Sequence, residues 1–99
     1  MRLPSRIRLA EQFVTKAEAR RVQGLATYGD FDPEKDPRTL SEEAIEEVVD
    51  AYNYLYFSIQ KHPEHRQFIR KAKKKAFELY VILRHLKELE TTTREGGAF

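Results

Sequence analysis

Four carboxylates have the residue type and spacing to do chemistry. They fall on one predicted helix, at Glu43, Glu46, Glu47 and Asp50. On a helical wheel, Glu43, Glu47 and Asp50 lie within about 60° of one another, and Glu46 lies about 40° beyond Asp50. Oxygen ligands at this spacing suit Mg²⁺ or Mn²⁺. The pattern predicts a metal site, and a solvated acidic face remains the alternative.

The line of these acids continues along the helix as Tyr54 and Phe57. A stripe that only faces water should not become aromatic after two turns. We therefore expect this helix to be covered on both sides, with its acids at the rim of a second contact.

A basic cluster follows the acidic helix. Between Lys61 and Lys75 the sequence has seven basic residues and a single acid, Glu64. One interpretation is a phosphate-binding site in which Lys71, Lys74 and Lys75 hold triphosphate oxygens. The same residues could contact the phosphates of a nucleic acid, pair with the acidic helix of this or another copy, or only face solvent.

The remaining residue types exclude several kinds of site. The sequence contains no cysteine, which rules out disulfides, thiolate zinc sites and cysteine nucleophiles. His62 and His65 have i, i+3 spacing, but no third ligand is evident beside them, so we expect a capping or surface role. No residue is assigned a catalytic role.

The elements that must position these residues are all helical, because no segment alternates with the period of a strand. We predict a first helix over residues 5–28 with a break near Thr15, a second over 40–61 that opens with a Thr39-x-x-Glu42 capping box, and a third over 63–90. Apolar residues repeat at 3,4 spacing along the second and third helices; they are Ile45, Val48, Tyr52, Leu55 and Ile59, then Ile69, Ala72, Ala76, Leu79, Leu83 and Leu86.

These seams predict an all-α protein of three to four helices, dominated by an antiparallel hairpin that completes its bundle as a homodimer. We expect one helical domain over residues 1–90 and a disordered tail over 91–99. A length of 99 residues fits a single domain. With no apolar run near 18 residues and no secretory signal, we expect a cytoplasmic protein without a membrane span.

The formal net charge of +2 conceals a strong segregation. Residues 1–29 carry a net charge of +4, residues 30–50 carry −7 and residues 51–99 carry +5. This acidic centre between basic arms is more informative about function than the small net charge is. It indicates an anionic partner or pairing between copies.

The acidic segment Glu43-Ala44-Ile45-Glu46-Glu47-Val48-Val49-Asp50 resembles the ExxD helix of the MazG-like all-α NTP pyrophosphohydrolases. Residues 28–32 (YGDFD) and 38–40 (RTL) are similar to the segments that precede this helix in small phage-type members. The resemblance covers about residues 26–60. It implies an oligomeric helical bundle that cleaves a nucleoside triphosphate between the α and β phosphates with Mg²⁺, and Glu47 and Asp50 would be the ExxD metal ligands.

The sequence departs from that family at one point. The family places an ExxE pair on the preceding helix, whereas the only candidate here, Glu43-x-x-Glu46, is on the same helix as the ExxD. A complete site would therefore need a second copy of the chain. The leading hypothesis is a MazG-like pyrophosphohydrolase or an inactive relative, and the alternative is a small helical module that binds nucleic acid or protein through its basic helix.

Overall fold

The fold was examined in a computed structural model, which describes residues 2–96 and the side chains of residues 2–92. The described residues form three α-helices and one short 3₁₀ turn and contain no strand. Contacts divide the chain into two compact units, Met1–Asp36 and Pro37–Phe99. The all-α prediction is confirmed, and the single domain over residues 1–90 stays a prediction.

The first unit is built on one long helix, α1, over Arg6–Tyr28. Ser5 caps its N-terminus, where the side-chain oxygen accepts a hydrogen bond from the backbone N–H of Arg8 at 3.2 Å. The predicted break near Thr15 is wrong, because α1 runs through this position without interruption. The helix ends at Gly29, whose φ of 81° is a conformation that glycine adopts without strain.

The second unit is the predicted antiparallel hairpin. Helix α2 spans Leu40–Lys61, a 3₁₀ turn spans Pro63–His65, and helix α3 spans Arg66–Gly96 and packs closely against α2. Pro63 opens the turn, where its missing N–H costs no hydrogen bond. Helix α3 continues past its predicted end at Glu90 and takes in much of the segment that we expected to be a disordered tail. Residues 97–99 lie outside the described residues.

The contact between the two helices uses the predicted seam of α2, apart from the exposed Tyr52, and half of the predicted seam of α3. On α2, Ile45, Val48, Leu55 and Ile59 are half-buried. On α3, the covered positions follow one another at 3,4 spacing; they are Ile69, Lys73, Ala76, Tyr80, Leu83, Lys87 and Glu90. The prediction for α3 is confirmed at Ile69, Ala76 and Leu83. It is wrong at Ala72, Leu79 and Leu86, which are exposed because the contact face is turned toward Lys73, Tyr80 and Lys87.

The hairpin therefore buries little apolar surface. Ile69, at 8% exposed, is the one buried hydrophobic residue among those described. The first turn of α2 is instead joined to α3 by polar contacts, in which Ser41 and Glu42 bind Glu90 and Lys87. None of the described helices combines the length and the apolar character needed to cross a membrane.

Candidate functional site

The four predicted metal ligands lie on the first half of α2. Glu43, Glu46, Glu47 and Asp50 are all exposed. Among the described residues, one group of three side chains lies close enough together to share an ion, and it is elsewhere in the hairpin. No three of these four carboxylates form such a group in this structure. The metal site on these residues stays a prediction, and its acids are open to solvent and to any ligand or second copy.

The three predicted phosphate-binding lysines have different surroundings on α3. The Lys71 Nζ lies 5.5 Å from the centre of the Phe68 ring, and the Lys75 Nζ pairs with the Glu78 carboxylate at 3.2 Å. Lys74 makes no ion pair with a described residue and lines a groove between the helices. Of the three, Lys74 is the one whose charge is most available to an incoming phosphate.

The acids and the lysines lie at different levels of the hairpin. Glu42, in the first turn of α2, contacts Lys87 near the far end of α3, while Lys73 lies over the rings of Tyr52 and Tyr56, 5.0 and 5.8 Å from their centres. At 1.5 Å per residue, Glu43 is therefore about 16 Å along the axis from the level of Lys74. By the same measure Asp50 is only about 6 Å from that level, so the axial separation from Lys74 is large for Glu43 and small for Asp50.

This arrangement makes the hairpin electrically bipolar. The half that contains the turn, residues 51–77, carries seven basic residues and one acidic residue, and we call it the basic end. The half at the opposite end, residues 40–50 and 78–90, carries two basic and eight acidic residues, and we call it the acidic end. The net charges are +6 and −6, so the segregation seen in the sequence becomes a separation along the length of the hairpin.

An open groove of about 450 Å³ runs between the helices where the two ends meet. This volume is within the range of small-molecule sites. Most of its lining is apolar or aromatic, with two lysines; the lining residues are Val48, Val49, Tyr52, Lys73, Lys74, Ala76, Phe77 and Tyr80. A planar ring could stack against these aromatic side chains while Lys74 contacts an attached anionic group.

Exposed aromatic rings accompany the basic charges on α2. Tyr54 is 77% exposed and Phe57 is 61% exposed, and Lys61 follows on the same face one turn later. The expectation that a second contact covers this side of α2 is not met within the hairpin. These rings are surfaces on which the bases of a single-stranded nucleic acid could stack.

Sequence reasoning missed the polar contacts at the acidic end. Ser41 is 2% exposed, and its hydroxyl donates a hydrogen bond to the Glu90 carboxylate at 2.6 Å. Glu42 does not form the predicted capping box with Thr39, whose side chain makes no cap hydrogen bond. The Glu42 carboxylate instead accepts a hydrogen bond from the Lys87 Nζ at 2.7 Å, which holds the pKa of Glu42 below its usual value. No local pattern signals partners so far apart in sequence.

The turn supplies the third ligand that the sequence did not reveal beside the two histidines. The Glu64 carboxylate lies 3.3 Å from His62 Nδ1 and 3.6 Å from His65 Nε2. A backbone hydrogen bond first, and then the bond from His62, hold the pKa of Glu64 below its usual value. All three groups are exposed, and the adjacent Lys61 and Arg66 oppose the approach of a cation. The capping role predicted for His62 is confirmed, since it ends α2.

Comparison with known proteins gave no match to a family model, a curated protein or a solved structure.

Proposed function

We propose that this protein binds single-stranded nucleic acid through the basic end of the hairpin. The observation that carries the proposal is the collection of seven basic residues in one half of the hairpin, beside the exposed rings of Tyr54 and Phe57. Lysine and arginine neutralise backbone phosphates, and aromatic rings accept bases of any sequence. Phosphate contacts and stacking together predict binding without strong base preference.

The charge distribution favours contact of the nucleic acid with the basic end and opposes its contact with the acidic end. A polyanion approaching the hairpin is attracted to the end with charge +6 and repelled from the end with charge −6, so it meets the molecule in one orientation. The groove with Lys74 lies next to that surface and could hold one base of the bound strand. A cytoplasmic location, as predicted, would expose the protein to such partners.

The test is fluorescence anisotropy with labelled single-stranded DNA and RNA of mixed sequence over a range of salt concentrations. We expect log K to fall linearly with log salt, and a variant with Arg70→Gln, Lys71→Gln and Lys74→Gln to reduce the slope by about 2. All three substituted side chains are exposed, so their replacement should leave the fold unaffected. The matched control removes three exposed positive charges from α1, Lys16→Gln, Arg20→Gln and Arg21→Gln, and should leave most of the slope intact.

Stacking is tested separately from charge. Tyr54→Ser and Phe57→Ser should each weaken binding by about 1 kcal/mol or more without changing the salt slope, because each removes a ring and no charge. Absence of any binding at low salt would contradict the nucleic-acid function. Binding that weakens equally in the α1 control would show that general attraction, and not the basic end, is responsible.

A second candidate is the MazG-like pyrophosphohydrolase with Mg²⁺ or Mn²⁺. Glu43, Glu46, Glu47 and Asp50 would hold the metal, which would polarise the phosphates and activate water. The exposure of all four acids on one helix supports it, because a metal-bound nucleotide could reach them without rearrangement of the hairpin. Lys74 lies near the level of Asp50 but about 16 Å from that of Glu43, so a phosphate at the Glu43 end of the cluster would need a lysine of another copy.

Its test is release of pyrophosphate from a panel of nucleoside triphosphates with either metal. The double variant Glu47→Gln, Asp50→Asn should abolish activity, while Glu11→Gln, Glu18→Gln on α1 removes the same charge and should not. Activity that survives the first change would rule out the assigned ligands.

A further inference from the structure

Helix α3 has a second apolar face that α2 does not cover. Its members share one arc of about 100° on the helical wheel, roughly 100° from the face that meets α2. We call this the α3 stripe; it consists of Phe68, Ala72, Leu79, Ile82, Leu86 and Leu89. The exposed fractions of its large side chains are between 42% and 75%.

The stripe is continuous from Leu79 to Leu89, which distinguishes it from ordinary scattered surface. It spans about 30 Å of helix at 1.5 Å per residue. Monomeric soluble proteins rarely expose large contiguous apolar patches, and those that do use them as interaction sites. Lys75 is the charged residue between Ala72 and Leu79 on this face, and its Nζ forms an ion pair with the Glu78 carboxylate at 3.2 Å. The stripe therefore needs a partner that offers an apolar surface of similar length.

The charge distribution identifies that partner. The stripe runs from the basic end of the hairpin, at Phe68, to the acidic end, at Leu89, so a matching surface should have the opposite polarity along its length. A second copy turned end for end has this polarity, with its −6 end beside the +6 end of the first. A copy in the same direction would place like charges together at both ends.

We propose that two copies of this chain associate through the α3 stripe, with the two α3 helices antiparallel about a two-fold axis near Leu79. Each copy then contributes the same surface, as a two-fold interface requires. The contact buries the apolar residues that the hairpin leaves exposed and pairs its two ends. Tyr54 and Phe57 lie on the other helix and stay uncovered in this dimer, whereas the basic end, which the proposed nucleic-acid function also uses, faces the acidic end of the second copy.

Sedimentation equilibrium at tens of micromolar protein tests the association. We expect twice the monomer mass for the natural sequence and the monomer mass for Ile82→Ser, Leu86→Ser, with unchanged helix content because both side chains are exposed. The matched control, Tyr54→Ser, Phe57→Ser, removes two exposed large side chains from α2 and should stay dimeric. A monomeric natural protein, or equal dissociation of the control, would overturn the proposal.

Disulfide trapping tests the direction, since the chain has no cysteine of its own. Leu79→Cys, next to the axis, should cross-link to itself on mild oxidation. Leu89→Cys should not cross-link to itself but should cross-link when mixed with a Phe68→Cys copy. Self-linking of Leu89→Cys without linking to Phe68→Cys would demonstrate a parallel pair and overturn the proposal. None of these readouts involves nucleic acid, so the dimer and the binding function fail or succeed separately.

Discussion

Replacement of Ser41 by alanine should destabilise the hairpin by about 1.5 kcal/mol. Ser41 is almost fully buried in the first turn of α2, and its hydroxyl donates at 2.6 Å to the carboxylate of Glu90 on α3. A hydrogen bond to a charged group contributes about 1.5–3 kcal/mol. Glu90 is only half-buried, so water replaces part of the lost bond and the lower value applies. For a domain of this size the melting temperature should fall by roughly 6–12 °C.

Thermal and urea unfolding followed by circular dichroism measure this loss, at one protein concentration because self-association would shift the midpoint. Ser58→Ala is the matched control, since Ser58 is a half-buried serine of the same helix and should change stability by less than about 0.5 kcal/mol. In a double-mutant cycle with Glu90→Ala, the two losses should not add. Equal effects of Ser41→Ala and Ser58→Ala, or additive losses in the cycle, would refute the role assigned to this hydrogen bond.

Three further predictions concern the fold. Lys87 holds the pKa of Glu42 below its usual 4.5, so the pair stabilises the native state above that pH and loses its effect as the pH falls through the lowered value. Glu42→Gln should therefore flatten the acid side of a plot of unfolding free energy against pH. Ile69→Ala should cost about 2–4 kcal/mol in urea unfolding, since it empties the one buried apolar position described, and a loss below 1 kcal/mol would show that the site collapses. Gly24→Ala should raise the helix content of α1, because a Cβ at this helical position meets open space. Gly29→Ala should lower the stability of the end of α1, because Gly29 has a φ of 81°. A change of the same sign in circular dichroism for both variants would contradict this.

The sequence predicted the helices well because their ends carry strong local signals. The bounds 40–61 of α2 match the structure, and Pro63 marks the turn. A capping box at Thr15 is equally visible in the sequence, yet α1 passes through it, since a threonine followed by glutamate at the right spacing is also compatible with a helix interior. Local motifs indicate where a helix could begin, and they do not show that one does.

The face by which α3 meets α2 was predicted only in part, since Ile69, Ala76 and Leu83 are covered and Ala72, Leu79 and Leu86 are not. Periodicity correctly found an apolar stripe on α3, but it could not show whether the other helix of the hairpin or something else covers that stripe. The short turn at Pro63–His65 sets the rotation of α3 relative to α2, and this rotation brings Lys73 and Lys87 to the contact. Apolar pattern alone would not select two lysines for that role.

The candidate site was predictable in its residue types and not in their arrangement. The acids of α2 and the lysines of α3 are evident in the sequence, and so is the segregation of their charges. Their separation along the axis depends on the antiparallel direction and on the register, in which Glu42 meets Lys87 and Lys73 meets Tyr52. Register follows from contacts between residues 17 or more positions apart, which spacing within one helix does not encode.

The tight turn at one end of the hairpin also has a consequence for how the molecule folds. Residues beside the turn are close in sequence, so their contacts form at little cost in loop entropy, whereas Ser41 and Glu90 must close the longest loop. We expect the helices to associate from the turn outward, and to do so rapidly because most contacts are local. The contacts at the acidic end would then form after the transition state. Their removal should speed unfolding and leave the folding rate nearly unchanged.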